Sequence, residues 1–406
     1  MNWDAILSWI LLAIVAGSTA YSSIALFGVF RFFQVRRQTA RGDRSAELTP
    51  AVSVLKPLYG LDRELRLNLE TFCRQDYPAY EILFSVREET DPAVPIVRQM
   101  AKDFPGVPMR LLFTGPPPYP NAKIHSLEIM AETAAHEILV INDSGVRVEP
   151  DYLRNVARPL AEPSVGLVTC IARSVPSRSF WSVLEALGIN TQFNPGVLTA
   201  WVLLGMQFSI GKTMVIRKQL AAQLGGFGRL GNYLADDFVL GERVAQAGYT
   251  VVLSETVPDN LLADEGMRDS LRHRLRWERS SRHSRPAGYV GQIFMHNLPL
   301  VLLAWGVAPS GDSIALSLII ACLGSRLLLA GACAGLLLRD PTFRRYGWLL
   351  PIQDLVSFGV WLGAFLGREI VWRGARFRVL KGGVLEPVTE VPKAGPSPAS
   401  RDRDDD

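Results

Sequence analysis

The feature that most constrains this chain is an apolar run from Ala5 to Phe30, in which the only polar residues carry hydroxyl groups. A run of this length can cross the roughly 30 Å hydrocarbon core of a bilayer as one helix. A helix also satisfies its own backbone hydrogen bonds there. We therefore predict an amino-terminal transmembrane helix over residues 1–35.

A secretory signal peptide is the alternative for this run, but a signal peptide carries its positive charge before the apolar segment. Here the basic residues follow the segment, at Arg31, Arg36, Arg37 and Arg41. By the positive-inside bias, the amino terminus faces outward and the chain that follows is cytoplasmic. The formal net charge of +4 is too small to indicate a nucleic-acid partner, and the apolar share of 48% points to the lipid bilayer instead.

The carboxyl-terminal part is apolar again over residues 289–370, in runs from Val290 to Val307, Ile314 to Leu338 and Trp348 to Leu366. Basic stretches at 339–345 and 368–381 both favour the cytoplasm, whereas three crossings would put the second one outside. We therefore expect one run to be re-entrant or interfacial. The candidates are the first run, with His296, Asn297 and Pro299, and the last run, with Gln353 and Asp354. Residues 371–406 are expected to form a cytoplasmic tail that is disordered from Pro392 onward.

Between the membrane segments, residues 50–288 alternate strand and helix patterns, which predicts an α/β fold with a mostly parallel, doubly wound sheet. The expected strands are 51–56, 80–87, 109–114, 137–141, 165–170, 214–217 and 249–254. Residues 180–206 are less regular, because Asn194-Pro195-Gly196 predicts a turn. An interfacial segment and a buried helix pair remain alternatives there.

Asp143 is the first candidate for a site residue. It follows the buried strand Ile138 to Ile141, and the carboxyl ends of strands in open α/β sheets are where ligands bind. Ordinary turn chemistry is the alternative, because Asn-Asp-Ser-Gly favours turns for backbone reasons alone.

Other charged residues stand at helix starts, where a structural and a functional interpretation are both open. Asp91 precedes Pro92 and could simply cap a helix. Lys123 could meet an anionic ligand or could be a solvated surface lysine. Asp236 and Asp237 could be stabilised by a helix dipole, or one of them could act as a general base.

A basic helix follows, with Arg272, Arg276 and Arg279 at helical spacing and Trp277 among them. Arginine presents forked donors that suit a diphosphate. A helix lying on anionic lipid is the alternative.

In this order, the motifs resemble those of the ceramide glucosyltransferase family, glycosyltransferase family 21, whose members are membrane-bound enzymes of the GT-A nucleotide-sugar fold. The family's three aspartates and its (Gln/Arg)-x-x-Arg-Trp element look like Asp91 in Thr-Asp-Pro-Ala, Asp143 in Asn-Asp-Ser-Gly-Val-Arg-Val, Asp237 in Ala-Asp-Asp, and Arg276-Trp277. The resemblance covers about residues 51–289 and the flanking membrane segments, and it implies a cytoplasmic GT-A domain over residues 50–288.

The resemblance also implies roles. Asp91 would bind the nucleotide, and Asp143 would hold Mg²⁺ or Mn²⁺ beside the sugar diphosphate. Asp237 would deprotonate the acceptor hydroxyl, so that a single displacement inverts the anomeric centre. Arg276 and Trp277 would hold the departing diphosphate and exclude water.

Three more residues, Lys123, Asp236 and His273, are placed with Asp91 and Asp143 in the expected nucleotide-sugar site. The chain departs from the common Asp-x-Asp pattern, because Asp143 is followed by Ser144 and Gly145. His273 stands at the first position of the last motif, as it often does in bacterial relatives.

The expected function is therefore transfer of a hexose from a UDP-sugar to a membrane-lipid hydroxyl, with glucose and ceramide as the first choice. The expected location is the bacterial inner membrane, with the catalytic domain cytoplasmic. Transfer of N-acetylglucosamine to a hopanoid polyol such as bacteriohopanetetrol is the alternative. From another class, the chain could be a non-catalytic membrane scaffold that keeps a nucleotide-sugar fold.

Overall fold

The computed structural model describes residues 3–39, 49–307, 312–372 and 374–388. Arg41 and the tail from Pro392, for which disorder is expected, lie outside the described residues. The strands are β1 (Val52–Pro57), β2 (Tyr80–Val86), β3 (Met109–Phe113), β4 (Ile138–Ile141), β5 (Val146–Arg147), β6 (Val165–Thr169), β7 (Arg173–Val175), β8 (Met214–Arg217), β9 (Thr250–Leu253), β10 (Asp259–Leu261), β11 (Glu369–Trp372), β12 (Ala375–Val379) and β13 (Leu385–Pro387).

The α-helices surround these strands and flank them in the chain. They are α1 (Trp3–Thr39), α2 (Leu65–Cys73), α3 (Ala93–Asp103), α4 (Ala122–Thr133), α5 (Tyr152–Ala157), α6 (Phe180–Gly188), α7 (Asn194–Leu204), α8 (Lys218–Gln223), α9 (Asp236–Gln246), α10 (Met267–Ser284), α11 (Pro286–Gly291), α12 (Asn297–Val307), α13 (Ser313–Ala330), α14 (Pro341–Tyr346) and α15 (Leu350–Gly363).

A seven-stranded sheet in the order β3-β2-β1-β4-β8-β6-β9 forms the centre of the domain. Its neighbours are parallel except β8, which is antiparallel to both β4 and β6. The strands β4 and β6 are buried along their whole length, as expected for a sheet covered on both faces. The predicted α/β class is confirmed, and each strand expected in this sheet is present with its ends shifted by no more than one residue.

Helices cover both faces of this sheet. One face packs against α2, α3 and α5. The other packs against α4 and α9, together with α1, α7 and the end of α13. Helix α1 reaches this second core through Ala25, Val29 and Phe32, all of them buried. A Cβ on Gly28 would lie 2.9 Å from the carbonyl oxygen of Leu198, so glycine is what allows α1 to approach α7 this closely. The first membrane helix is therefore packed directly onto the α/β domain.

Two helical segments of the described chain, 6–39 and 313–337, are long and apolar enough to cross a membrane. The segments 286–295 and 297–307 qualify only as a pair, bent by 68°. The last apolar run becomes α15, which has 14 residues and is too short to count as a span. Both runs suspected of being irregular therefore differ from a straight transmembrane helix.

The turn predicted at Asn194-Pro195-Gly196 is wrong. The chain stays helical from α6 through a π-helical segment, Ile189–Phe193, into α7, and Asn194 has φ −59° and ψ −46°. Such a segment widens the helix and accommodates the missing amide of Pro195. The Asn194 side chain donates to the carbonyl oxygen of Ala172 at 2.9 Å, which ties the helix to the sheet.

Beyond residue 368 the chain folds into a separate three-stranded sheet, with β11, β12 and β13 antiparallel in sequence order. Residues 371–406, which were predicted to form a tail, thus include β12 and β13.

A buried ion pair joins α13 to α15. Asp354 accepts from Nε and Nη2 of Arg326 at 3.1 and 2.7 Å, and Arg326 also donates to the carbonyl and hydroxyl oxygens of Thr191. Only 5% of either charged side chain is exposed. This network connects α13 and α15 to the π-helical segment.

We expect Asp354→Ala to lower the free energy of unfolding by about 3 to 5 kcal/mol, because it leaves the Arg326 guanidinium buried without its counter-charge. Thermal unfolding of the detergent-solubilised protein measures this. Glu386→Ala is the control, since the Arg378–Glu386 pair is about half exposed and should change stability by less than about 1 kcal/mol. Equal stability of the two variants would contradict the prediction.

Candidate active site

A cleft of about 920 Å³ opens at the carboxyl ends of β1, β2 and β4. Its walls come from the loops after these strands, the start of α4, helices α6 and α10, the segments that precede β8 and α10, and the carboxyl-terminal sheet. The lining includes Tyr59, Lys123, Asp143, Glu185, Lys212, Glu265, His273, Arg276, Trp277, Trp372 and Phe377.

Asp143 stands directly after β4 and is held by two ammonium groups. Its Oδ1 accepts from Nζ of Lys123 at 2.8 Å, and its Oδ2 accepts from Nζ of Lys212 at 3.0 Å. Burial alone would raise the pKa of Asp143, but the two lysines outweigh burial and hold the pKa well below its usual range. Asp143 is therefore an ionised carboxylate at neutral pH, in a setting far more specific than a surface turn.

Lys56 lies beneath this turn. Its side chain is fully buried, its Nζ donates to the Asp143 carbonyl oxygen at 2.8 Å, and the same Nζ lies 3.9 Å from the ring centre of Phe72. Burial lowers the pKa of Lys56 to about 7, although the Asp143 carboxylate opposes the shift. A lysine that is costly to bury thus fixes the backbone of the turn.

We expect Lys56→Met to raise the free energy of unfolding and to lower turnover about tenfold. A tenfold change in rate corresponds to roughly 1.4 kcal/mol, the free energy of one lost hydrogen bond. A lysine whose pKa is lowered on folding destabilises the fold fully below about pH 7, and this cost vanishes above the unfolded pKa of about 10.5. The gain in free energy of unfolding from Lys56→Met should therefore be largest near pH 6 and absent near pH 10.5. Unfolding at both pH values, together with turnover, measures this; a variant less stable at pH 6 would contradict it.

Asp236 and Asp237 form the first turn of α9. Oδ1 of Asp236 accepts from Nδ2 of Asn121 at 3.1 Å, and Nζ of Lys123 lies 3.9 Å from its Oδ2. That Oδ2 is buried and has no hydrogen-bond partner among the described residues. Asp236 thus stands next to Asp143, with Lys123 between them.

Asp237 accepts from the backbone amides of Gly211 and Phe238, at 2.6 and 2.8 Å. A Cβ on Gly211 would lie 2.9 Å from Oδ2 of Asp237, so the approach depends on glycine. Burial, and then the charge of Asp236, raise the pKa of Asp237 to about 6. Neither Asp236 nor Asp237 belongs to the cleft lining, although Oδ2 of Asp236 lies 3.9 Å from Nζ of Lys123, which does.

Helix α10 presents His273, Arg276 and Trp277 to the cleft. The rings of His273 and Trp277 lie 4.1 Å apart, and His273 Nδ1 lies 3.6 Å from Oε1 of Glu265. Of the other two arginines at helical spacing, Arg272 pairs with Asp269, while Arg279 donates to the carbonyl oxygens of Leu366 and Glu369. The face of α10 that carries the motif therefore faces the cleft.

Asp91 has the structural role that the sequence left open. Its carboxylate accepts from the Gly60 amide at 3.0 Å and from the Ala93 amide at 2.9 Å, so it caps α3 and holds the loop after β1. It does not line the cleft, although Tyr59, the neighbour of Gly60, does. Asp91 thus lies apart from the lysine and aspartate cluster.

Two carboxylates near Lys123 offer oxygen donors of the kind that binds Mg²⁺ or Mn²⁺. Asp143 supplies an ionised carboxylate, the unpartnered Oδ2 of Asp236 lies on the other side of Lys123, and in this structure the Lys123 ammonium occupies the space between them. A second group, Glu185, Glu265 and His273, brings its donor atoms within 4.8 Å of one another, and Oε2 of Glu265 is buried without a partner in the described structure. Its imidazole makes this second group less suited to Mg²⁺.

The structure thus brings Lys123, Asp143, His273, Arg276 and Trp277 into one cleft. Lys212, Glu185 and Glu265 belong to the same cleft, although they were not predicted from the sequence. Lys212 could have been found only from the antiparallel direction of β8, because that direction puts the start of β8 beside the end of β4.

The model of the family described as glycosyl transferase family 21 matches residues 10–385. Ceramide glucosyltransferase 1 of Caenorhabditis elegans is 27% identical over 257 residues, 63% of this chain and 55% of that protein. Ceramide glucosyltransferase 3 of the same organism is 28% identical over 206 residues, 50% of this chain and 45% of that protein. The chain therefore spans about half the length of the curated relatives it matches.

Among solved structures, the chain is similar to the mannosyltransferase PcManGT from Pyrobaculum calidifontis in complex with GDP-Man and Mn²⁺. It is 20% identical with a TM-score of 0.47, over 88% of this chain and 99% of that one. TarS of S. aureus in complex with UDP-GlcNAc is 13% identical with a TM-score of 0.41, over 84% of this chain and 100% of that one. Because the family model covers most of the sequence, this protein belongs to glycosyltransferase family 21.

Proposed function

We propose that this protein transfers a hexose from a UDP-sugar to a hydroxyl group of a membrane lipid, with inversion at the anomeric carbon, and that glucose and ceramide are its substrates. The observation that carries the proposal is the ionised Asp143 between Lys123 and Lys212, in one cleft with Arg276 and Trp277. The names of the curated relatives support glucose and ceramide. The close packing of α1 against the α/β domain favours an acceptor that stays in the bilayer.

Each charged group then has a defined role in the reaction. Lys123, Lys212 and Arg276 hold the diphosphate oxygens, and their charges stabilise the diphosphate as it departs. Asp91, through the loop at Gly60, shapes the nucleotide end of the cleft, and Trp277 excludes water.

Asp237 is given the role of accepting the proton of the acceptor hydroxyl by the family resemblance, and because it does not line the cleft in this structure, it requires the acceptor to approach the start of α9. A divalent cation held by Asp143 and Asp236 would neutralise charge on the leaving diphosphate. We propose Mg²⁺ or Mn²⁺ for this position, with the domain in the cytoplasm of a bacterial cell at the inner membrane.

A hopanoid polyol with N-acetylglucosamine is the second candidate. It is favoured by His273 at the first position of the last motif, the residue that bacterial relatives often carry. In this structure His273 contacts Trp277 in the cleft wall and faces Glu265, so a histidine there can influence the choice of sugar.

Transfer of radiolabelled sugar in detergent with Mg²⁺ or Mn²⁺ tests the proposal. UDP-glucose and UDP-N-acetylglucosamine are each offered with ceramide and with bacteriohopanetetrol, and Asp237→Asn is the inactive control. Product from glucose and ceramide supports the first choice, and product from the amino sugar and the hopanoid supports the second. Intact UDP binding without product from any pair would favour a non-catalytic scaffold.

The pH dependence provides a separate prediction. Because burial and Asp236 raise the pKa of Asp237 to about 6, the base is protonated and inactive below that pH. We expect kcat/KM to rise about tenfold per unit up to pH ~6 and then to level off, as for a single essential base. Initial rates between about pH 4.5 and 8.5 measure this. A rate that is nearly level from about pH 5 upward, as for an aspartate with the ordinary pKa of about 3.9, would contradict it.

A further inference from the structure

The short loop that leads into Asp236 and Asp237 is held by the carboxyl-terminal sheet. The amide of Leu385 donates to the carbonyl oxygen of Asn232 at 2.7 Å, and the amide of Leu234 donates to the carbonyl oxygen of Gly383 at 3.5 Å. Tyr233 and Val384 form an antiparallel bridge between these two bonds. Backbone separated by about 150 positions in sequence thus pairs directly before the two carboxylates.

Side chains reinforce this pairing. Leu234 packs against an apolar cluster formed by the inner face of the sheet, whose members are Ile370, Phe377, Val379 and Leu385, each no more than 4% exposed. Phe377 also lines the cleft, whereas Leu234 does not. The loop is therefore anchored to the same face of the sheet that forms a wall of the cleft.

The opposite side of the loop is fixed by Asn121 at the start of α4. Its Nδ2 donates to the carbonyl oxygen of Tyr233 at 3.0 Å and to Oδ1 of Asp236 at 3.1 Å. The loop before α9 thus has two supports, one from the α/β domain and one from the carboxyl-terminal sheet. Removal of either support leaves Asp236 and Asp237 held from one side only.

The sheet itself is attached to α10, the helix that carries the other motif. Arg279 of that helix donates to the carbonyl oxygen of Leu366 at 2.7 Å and also to that of Glu369. The sheet therefore lies between the loop before Asp236 and the helix of Arg276 and Trp277.

We infer that the carboxyl-terminal sheet is an active-site element, in which Phe377 is a positioning residue that acts through Leu234 on the carboxylates at the start of α9. This inference rests on the proposed function for its catalytic readout. The exact position of these carboxylates matters, because displacing a catalytic group by about 1 Å can cost roughly 10²-fold in rate. A positioning role predicts loss of turnover while the affinity for the nucleotide is kept.

A double-mutant cycle tests the inference. We expect Phe377→Ala and Leu234→Ala each to lower kcat by about 10- to 100-fold, with the KM for the donor and the Kd for UDP within about threefold of the wild type. Because Leu234 packs against the apolar cluster that contains Phe377, the two changes disturb the same packing, and the double variant should lose much less than the product of the two single losses. Arg376→Ala, on the solvent face of the same strand, is the matched control and should leave kcat unchanged.

Milder variants keep the test valid if the alanine variants fold poorly. Phe377→Leu and Leu234→Val should restore most of the lost turnover. Losses that multiply independently in the double variant, or an equal loss in Arg376→Ala, would overturn the inference.

A second readout does not need transfer activity. Hydrogen exchange at the amides of residues 232–237 should accelerate in Phe377→Ala and stay slow in Arg376→Ala, with UDP binding retained in both. If the wild type transfers no sugar, the proposed function fails, while unchanged exchange in Phe377→Ala refutes the positioning role separately.

Discussion

Replacing Asp237 by asparagine is expected to lower kcat by about 10²- to 10⁴-fold, the range over which a positioned general base accelerates a reaction. The amide is nearly the same size as the carboxylate, but Gly211 and Phe238 donate to different oxygens of Asp237, so the single oxygen of asparagine keeps only one of these two bonds. Retained binding of UDP is therefore the observation that separates loss of the base from a displaced loop. Radiolabel transfer measures turnover, and calorimetry with UDP should give an unchanged Kd.

The matched comparison is Asp236→Asn, one residue earlier on α9. Asp236 already accepts from Asn121 and faces Lys123, so its change should weaken donor binding and the response to metal. An Asp237→Asn variant that keeps more than about a tenth of the wild-type turnover would contradict the assignment of the base. A loss of turnover confined to Asp236→Asn would transfer the role of base to Asp236.

Replacing Asp143 by asparagine is expected to reduce kcat/KM by about 10³-fold or more, because charge neutralisation at a leaving diphosphate is worth several kcal/mol. The change also leaves Lys123 and Lys212 facing a neutral amide, and their mutual repulsion then disturbs the cleft. Initial rates over a titration with Mg²⁺ and Mn²⁺ measure this, and the variant should no longer respond to either ion.

Asp76→Asn is the control for this change, since the Asp76 side chain is 78% exposed and its bond to Arg154 is weak at 3.5 Å. It should leave both the rate and the metal response unchanged. Full activity of Asp143→Asn, with an unaltered metal titration, would show that neither the cation nor the diphosphate depends on this carboxylate.

Local patterns in the sequence were sufficient to predict the central sheet. Its strands are apolar runs such as Ile138 to Ile141, buried on both faces and bounded by turn residues, so burial and propensity agree. Asp143, Lys123, Arg276 and Trp277 could be predicted for the cleft because each follows such a strand or stands on a helix with a clear period.

The residues that could not be predicted from the sequence depend on long-range pairing. Lys212 meets Asp143 only because β8 runs antiparallel to β4, a direction that no local pattern encodes. Phe377 reaches the cleft only because β12 and β13 pair with each other and then with the loop at Asn232. The helix through Pro195 was missed because the π-helical segment before it removes the steric conflict that proline normally causes.

The carboxyl-terminal sheet also has a topological consequence. Phe377 lines the same cleft as Asp143, so residues 288 and 369 lie on one side of the membrane, and the chain between them must cross it an even number of times. Residues 313–337 are long and apolar enough for one crossing, whereas α15, about 21 Å long at 1.5 Å per residue, is too short for another. We therefore infer that the bent pair 286–307 supplies the outbound crossing. With two crossings, the basic stretches 339–345 and 368–381 lie on the same side of the membrane as the catalytic domain. Both stretches then agree with the positive-inside bias.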